Sequence, residues 1–206
     1  MDKIVCVGKN YPEHAKELGD AVPEKPVLFL KPPSVLREAS AGGILQAWFP
    51  AGRGALHPEC EIVLRLSAGG ENLTEQQSLG AIGWVTLGLD MTLREVQADL
   101  KKRGHPWEVG KVFRDSAIVG PWIPVRDWPG YGDEEFRLFV GGALRQRGRA
   151  SEMSLSPQGC VSHASRYFPL QEGDLVFTGT PAGVGPVHGG DEARLEWGRL
   201  VYCVRW

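Results

Sequence analysis

His57-Pro58-Glu59-Cys60-Glu61-Ile62-Val63-Leu64-Arg65-Leu66 is the stretch on which the reading of this chain turns. Its apolar second half predicts a strand over Glu61–Ser67, with the preceding residues running into it. In a strand, alternate residues share a face, so Cys60, Ile62, Leu64 and Leu66 are expected to point into a core. Glu59 and Glu61 then point together. Two adjacent carboxylates repel unless a cation or a proton lies between them. Taken alone, Glu-x-Glu is more often a solvated strand edge.

Outward from that strand, further apolar runs bounded by Gly, Pro or charged turns occur at Lys3–Val7, Val27–Leu30, Ile82–Leu89, Phe136–Val140, Asp174–Thr178 and Leu200–Val204. Helical patterns are few. One is short, over Pro12–Leu18, with Pro12 suited to a first turn and Gly19 to a stop. A second runs from Leu93 to Arg103, where Thr92 and Glu95 form a Thr-x-x-Glu capping box. Leu93, Val96 and Leu100 make its apolar stripe, and Gly104 with Pro106 ends it. A third lies around Pro157–Tyr167. Leu36–Ala55 and Val125–Gly132 read as loops. Gly 27 and Pro 15 fit many turns, and strands outnumber helices, so the class is α+β and β-rich rather than alternating βαβ.

The 206 residues suit one domain spanning 1–206. A net charge of -2 carries no signature of nucleic-acid or anionic-membrane binding. No apolar stretch approaches the ~18 residues needed to span a bilayer. The first residues enter a strand-like run at once, without a basic segment and apolar h-region. Cys6, Cys60, Cys160 and Cys203 are scattered with no CxxC pair. They are expected to be reduced core thiols in a cytoplasmic protein.

Asp90 stands where the run Ile82–Leu89 gives way to the capped helix, a kind of junction where rigid elements hold functional groups. The bland alternative is an Asp-x-Thr turn that caps the helix. If Glu59, Glu61 and Asp90 converge, three hard oxygen donors would hold Mg²⁺ or Mn²⁺, with positions left for water and substrate. His14 and Glu17 lie three apart on a helix, so the Glu can orient the ring and let it act as a general base. Such pairs are otherwise common on surfaces. Arg94 and Gln97, at the same spacing, suit a carboxylate and a carbonyl oxygen. Lys111 stands in the apolar context Gly110-Lys111-Val112-Phe113, where an ammonium needs a reason to stay. Thr178-Gly179-Thr180-Pro181-Ala182-Gly183-Val184-Gly185 lacks a Gly-Lys-Ser/Thr ending and a following helix. It is a tight loop exposing Thr180 and backbone amides, not a phosphate loop.

The order of these elements resembles the fumarylacetoacetate hydrolase family. Gly8-Lys9-Asn10-Tyr11 with His14 and Glu17 leads to Phe29-Leu30-Lys31-Pro32, then to His57-x-Glu59-x-Glu61 and Leu89-Asp90-Met91-Thr92-x-Arg94-x-x-Gln97. Lys111-Val112-Phe113, Gly120-Pro121, Glu172-Gly173-Asp174, Thr178-Gly179-Thr180-Pro181 and Gly183-Val184-Gly185-Pro186 complete it. The similarity covers Ile4 to Asp191, and its nearest type is the short acylpyruvate hydrolase and oxaloacetate decarboxylase-like members. Lys9 stands where members often carry Arg, Val140-Gly141-Gly142 replaces their usual Val-Asn-Gly hairpin, and Arg114 replaces an acid or small residue.

The resemblance implies a mixed β-sandwich roll, a homodimer, and Mg²⁺ or Mn²⁺ on Glu59, Glu61 and Asp90. It implies that His14 and Glu17 are a water-activating dyad on a mobile lid. Arg94, Gln97, Lys111 and Thr180 become contacts to a small 2-oxo acid. The expected activity is hydrolysis of a C–C bond in an acylpyruvate, with a pyruvate enolate leaving, because both dyad members are present. Oxaloacetate decarboxylation and keto–enol isomerisation would use the same parts. A non-catalytic metal-binding domain on the same scaffold is the reading from another class.

Overall fold

The computed structural model describes residues 1–17 and 26–206. Leu18 and Gly19, the expected end of the first helix, lie outside the described residues. The elements begin β1 (Ile4–Gly8), α1 (Pro12–Glu17), β2 (Val27–Lys31), β3 (Leu36–Glu38), β4 (Ile44–Gln46), β5 (Leu56–Leu66), α2 (Glu75–Ala81) and β6 (Ile82–Leu93). They continue α3 (Arg94–Lys102), α4 (Glu108–Lys111), β7 (Ala117–Val119), β8 (Ile123–Pro124), β9 (Phe136–Val140) and β10 (Ala143–Gly148). Last come α5 (Pro157–Ser165), β11 (Leu175–Phe177), β12 (Glu192–Trp197) and β13 (Leu200–Arg205).

One sheet has the order β2-β1-β11-β5-β6-β7-β3, with β8 also paired to β6; the other has the order β10-β9-β12-β13-β4. Both are mixed, since β1 runs parallel to β11, β3 to β7 and β13 to β4, while the remaining pairs are antiparallel. This is the β-rich α+β roll expected from the sequence. No helix among the described residues is long and apolar enough to cross a membrane.

The spine is the antiparallel pair β5–β6, which runs from Leu56 opposite Leu93 to Leu66 opposite Ile82. Alternation works on both faces of β5. Cys60, Ile62, Leu64 and Leu66 are fully buried in the main core, together with Leu87 and Leu89 of β6 and Phe136, Leu195, Trp197 and Tyr202 of the second sheet. Each fully buried large apolar side chain of this kind contributes about 1.5–3 kcal/mol of transfer free energy. The opposite face carries Glu59, Glu61 and then Val63, which joins a smaller cluster with Ile4, Cys6 and Phe177. Glu59 and Glu61 are 6% and 2% exposed, so the solvated-edge alternative for Glu-x-Glu does not hold.

Several local expectations change. β6 continues through Asp90 to Leu93 because Leu56, His57 and Pro58 of β5 are there to pair with it. Asp90 therefore sits inside a strand rather than at a junction. The Thr92–Glu95 capping box is absent: α3 begins after Leu93 with no side-chain cap. Thr92 remains in β6, where its hydroxyl accepts from Lys111 Nζ at 2.7 Å. A capping box does exist at Thr74 and Gln77, starting α2, a helix the sequence reading left out. Leu36–Ala55 and Val125–Gly132 are not wholly loop, since they hold β3, β4 and two 3₁₀ turns. The Gly141-Gly142 turn is kept, with φ of 57° and 80°, as a tight hairpin between β9 and β10 requires. All four cysteines are free thiols, three of them buried.

Candidate active site

The β5–β6 register sets Asp90 directly opposite Glu59, and Gly88 opposite Glu61. Strand geometry thus brings together acids far apart in the chain. Glu59, Glu61 and Asp90 each place a carboxylate oxygen within 4.8 Å of the other two. All three are buried, and all line a cavity of about 570 Å³.

Three cations meet two of these acids. Lys111 Nζ donates to Glu59 Oε2 at 2.7 Å, to Asp90 Oδ2 at 2.6 Å and to Thr92 Oγ1 at 2.7 Å. Its surroundings are therefore carboxylate-lined, which corrects the apolar setting expected from its neighbours. Burial disfavours the Lys111 ammonium, but Asp90 and Glu59 outweigh it and hold its pKa above the ordinary lysine value. Arg94 pairs with Glu59 Oε1 through Nη2 and donates from Nη1 to Gln97 Oε1 at 2.9 Å. Both Arg94 and Gln97 line the cavity. Lys31, fully buried, is 2.6 Å from Asp90 Oδ1, an ion pair outside hydrogen-bond alignment, and donates to the carbonyls of Ser116 at 2.5 Å and Met91 at 3.2 Å. Sequence reasoning gave Lys31 no role; a lone lysine closing the apolar run Val27–Leu30 was the available signal.

Burial works against the Glu59 carboxylate, yet Lys111 and Arg94 hold its pKa well below the usual range. Glu61 is the opposite case. Burial, with Asp90 and Glu59 nearby, pushes its pKa well above the usual carboxylate value. The cations pair with Glu59 and Asp90, leaving Glu61 with the Gly179 N–H, which donates to Oε2 at 2.6 Å. A buried carboxylate short of positive charge, beside two others, fits a divalent cation: three hard oxygens are present, with no thiolate or imidazole among them. Burial and the Arg94 charge pull His57 down to about 4, so that ring is neutral.

His14 is 4% exposed and lines the same cavity. Its Nδ1 lies 3.1 Å from Glu17 Oε2, on the i,i+3 spacing of α1. With the carboxylate ionised, Nδ1 carries the proton and Nε2 remains the basic nitrogen. Thr180 also lines the cavity, but its hydroxyl is engaged: it donates to Cys60 O at 2.8 Å and accepts from Gln146 Nε2 at 2.8 Å. Glu17, at the exposed end of α1, is the one expected site residue outside the cavity lining.

The fold and site together define a class, a β-rich roll around a buried three-carboxylate cluster with the donors for a divalent cation. The family described as fumarylacetoacetate (FAA) hydrolase C-terminal matches residues 3–205, and the chain belongs to the fumarylacetoacetate hydrolase family. Oxaloacetate tautomerase YcgM of Escherichia coli (strain K12) is 39% identical over 198 residues, 96% of this chain and 89% of that protein. Mitochondrial oxaloacetate tautomerase FAHD1 of Mus musculus is 39% identical over 189 residues, covering 92% and 84%. Among solved structures, fumarylpyruvate hydrolase from Pseudomonas aeruginosa in complex with Mn²⁺ and pyruvate is similar at a TM-score of 0.91 and 37% identity, covering 98% of this chain and 89% of that one.

Proposed function

We propose that this chain is a divalent-metal-dependent enzyme acting on small 2-oxo acids, with keto–enol tautomerisation of oxaloacetate as its reaction. The observation that carries the reading is a single oriented base, His14, facing the same cavity as the three-carboxylate cluster and a buried ammonium. Similarity to oxaloacetate tautomerases over nearly the whole chain supports it. Glu59, Glu61 and Asp90 would hold Mg²⁺ or Mn²⁺. When bound, the cation supplies Lewis-acid polarisation of the 2-oxo carbonyl.

Tautomerisation needs one proton moved between C3 and the 2-oxo oxygen. His14 Nε2 takes the C3 proton, and Glu17 stabilises the imidazolium that results. Nε2 then gives that proton to the 2-oxo oxygen, and ketonisation of the enol runs the same steps in reverse. Lys111 provides positive charge for the oxygen on which the enol forms. Arg94 and Gln97 present a guanidinium and an amide to the substrate's carboxylate. Thr180 contributes to the cavity wall rather than a free hydroxyl, since that hydroxyl is committed to Cys60 and Gln146.

Hydrolysis of acylpyruvates is the second reading, favoured by the His14–Glu17 pair, in which the same base would deprotonate a water. Similarity to fumarylpyruvate hydrolase supports it. One set of assays separates the two: the decay of enol oxaloacetate, and pyruvate release from acylpyruvates and from oxaloacetate, each with Mg²⁺. Fast enol decay with slow pyruvate release supports tautomerisation; the reverse supports hydrolysis. If Glu17→Gln abolishes acylpyruvate cleavage but spares oxaloacetate decarboxylation, Glu17 serves water activation. Wild-type protein that turns over neither substrate with Mg²⁺ removes both readings and leaves a non-catalytic role. Turnover that survives Glu59→Ala unchanged removes Glu59 from the metal site.

A further inference from the structure

The loop after β11 gives backbone amides to two acids of the site. Gly179 N–H donates to Glu61 Oε2 at 2.6 Å, and Gly183 N–H donates to Glu17 Oε1 at 3.0 Å. The acids belong to different bodies: Glu61 to the spine strand β5, Glu17 to the end of the six-residue α1. Between the glycines, the Thr180 hydroxyl ties the loop to β5 through Cys60 O and to β10 through Gln146. Asn10, just before α1, donates to Thr178 O at 2.9 Å and accepts from Leu155 N at 2.7 Å. The entry to α1 is therefore bound to the same loop.

Both glycines sit at φ +98°, where side chains are strained. Neither site has room for one. A Cβ on Gly179 would lie 2.8 Å from Asn10 Cβ and 3.1 Å from Val7 O, and one on Gly183 would lie 2.0 Å from Arg145 O. The close packing that excludes a side chain also fixes where each amide points.

We propose that Gly179 and Gly183 are positioning residues of one rigid loop, which sets the cation-binding carboxylate with its first amide and the base-orienting carboxylate with its second. This rests on the roles given above to Glu61 and Glu17. The Gly183 amide meets the Glu17 carboxylate, and the Gly179 amide meets Glu61, which a bound cation would ionise. A hydrogen bond to an ionised carboxylate is stronger than a neutral one. Glu17 spans two donors, one oxygen on the Gly183 amide and the other on His14 Nδ1. Losing the amide frees the carboxylate to rotate and the ring with it.

The two glycines should therefore fail differently. Gly179→Ala weakens Mn²⁺ affinity by about 10–100-fold, the usual effect of disturbing the support of a metal ligand. Gly183→Ala leaves Mn²⁺ affinity within about twofold and lowers kcat by about 100-fold, with KM little changed. Combined with Glu17→Gln it costs nothing further, because both changes remove the same function. Mn²⁺ titration calorimetry reads the first effect without turnover. Amide proton shifts supply a measurement that needs no glycine variant: the Gly183 resonance moves in Glu17→Gln, and the Gly179 resonance in Glu61→Gln. These shifts decide the matter if an alanine variant does not fold. The proposal is overturned if those resonances stay put, if a folded Gly183→Ala turns over like wild type, or if both alanines weaken Mn²⁺ equally. A wild-type protein inert toward every 2-oxo acid would instead refute the proposed function, while the amide and Mn²⁺ measurements would still stand.

Discussion

Replacing Lys31 by Met removes the only positive charge at Asp90 Oδ1 among the described contacts, at a position with no solvent exposure. Breaking a buried ion pair from one side typically costs about 3–5 kcal/mol, because the partner is left charged and out of water. Asp90 is not left bare, since Oδ2 keeps Lys111 at 2.6 Å. That argues for the lower end of the range. The carbonyls of Ser116 and Met91 lose a donor too, so the loss does not fall to zero. About 3 kcal/mol in a chain of this size lowers Tm by about 6–12 °C. Thermal melting of metal-free Lys31→Met against wild type measures it. Saturating Mn²⁺ should narrow the gap, because a cation at Asp90 takes over the missing charge. A metal-free variant melting within about 2 °C of wild type would refute the claim that Lys31 neutralises Asp90.

Glu61→Gln should act with opposite signs on stability and on metal binding. Burial, Asp90 and Glu59 raise its folded pKa above the unfolded value, so the acid destabilises the metal-free protein increasingly as pH rises past the ordinary Glu range. The metal-free variant therefore melts at or above wild type at pH 8, yet gains almost nothing from Mg²⁺; a full Mg²⁺-induced rise would exclude Glu61 as a ligand. Asp174→Asn should cost about 1–3 kcal/mol, because Asp174 accepts from the amides of Asp2, Lys3 and Gln171, which anchor the N-terminal strand. Burial opposes its ionisation, but those amides and Lys3 lower its pKa below the unfolded value. Its contribution is thus present in full above about pH 4 and disappears as pH falls through the lowered folded value, an acid limb that urea titrations should show in wild type and not in Asp174→Asn.

The main fold was legible where period-two alternation was strong, as in β5, β6 and β9. It was not legible in β10 or β12. Ala143–Gly148 lacks β-branched residues, and Glu192–Trp197 alternates correctly but Glu192, Arg194 and Glu196 mask the apolar positions. Both are held by pairing with β9 rather than by their own propensity. In the site, Glu59 and Glu61 could be placed on one face from spacing alone. Adding Asp90 required strand register, which no local pattern encodes. Thr92 misled because a side chain that satisfies the helix-start pattern was captured by Lys111, a tertiary contact from 19 residues away. Lys31 was missed for the same reason: its carbonyl partners are 60 and 85 residues distant. The backbone donors Gly179 and Gly183 carry no side-chain signal at all, and only their glycine identity hinted at them.

Crystals soaked in Mn²⁺ and measured at the manganese absorption edge test the central claim most directly. The account predicts one anomalous peak among the carboxylates of Glu59, Glu61 and Asp90, with the Lys111 ammonium still beside it. No peak there at saturating Mn²⁺, or a peak held by other side chains, would contradict it.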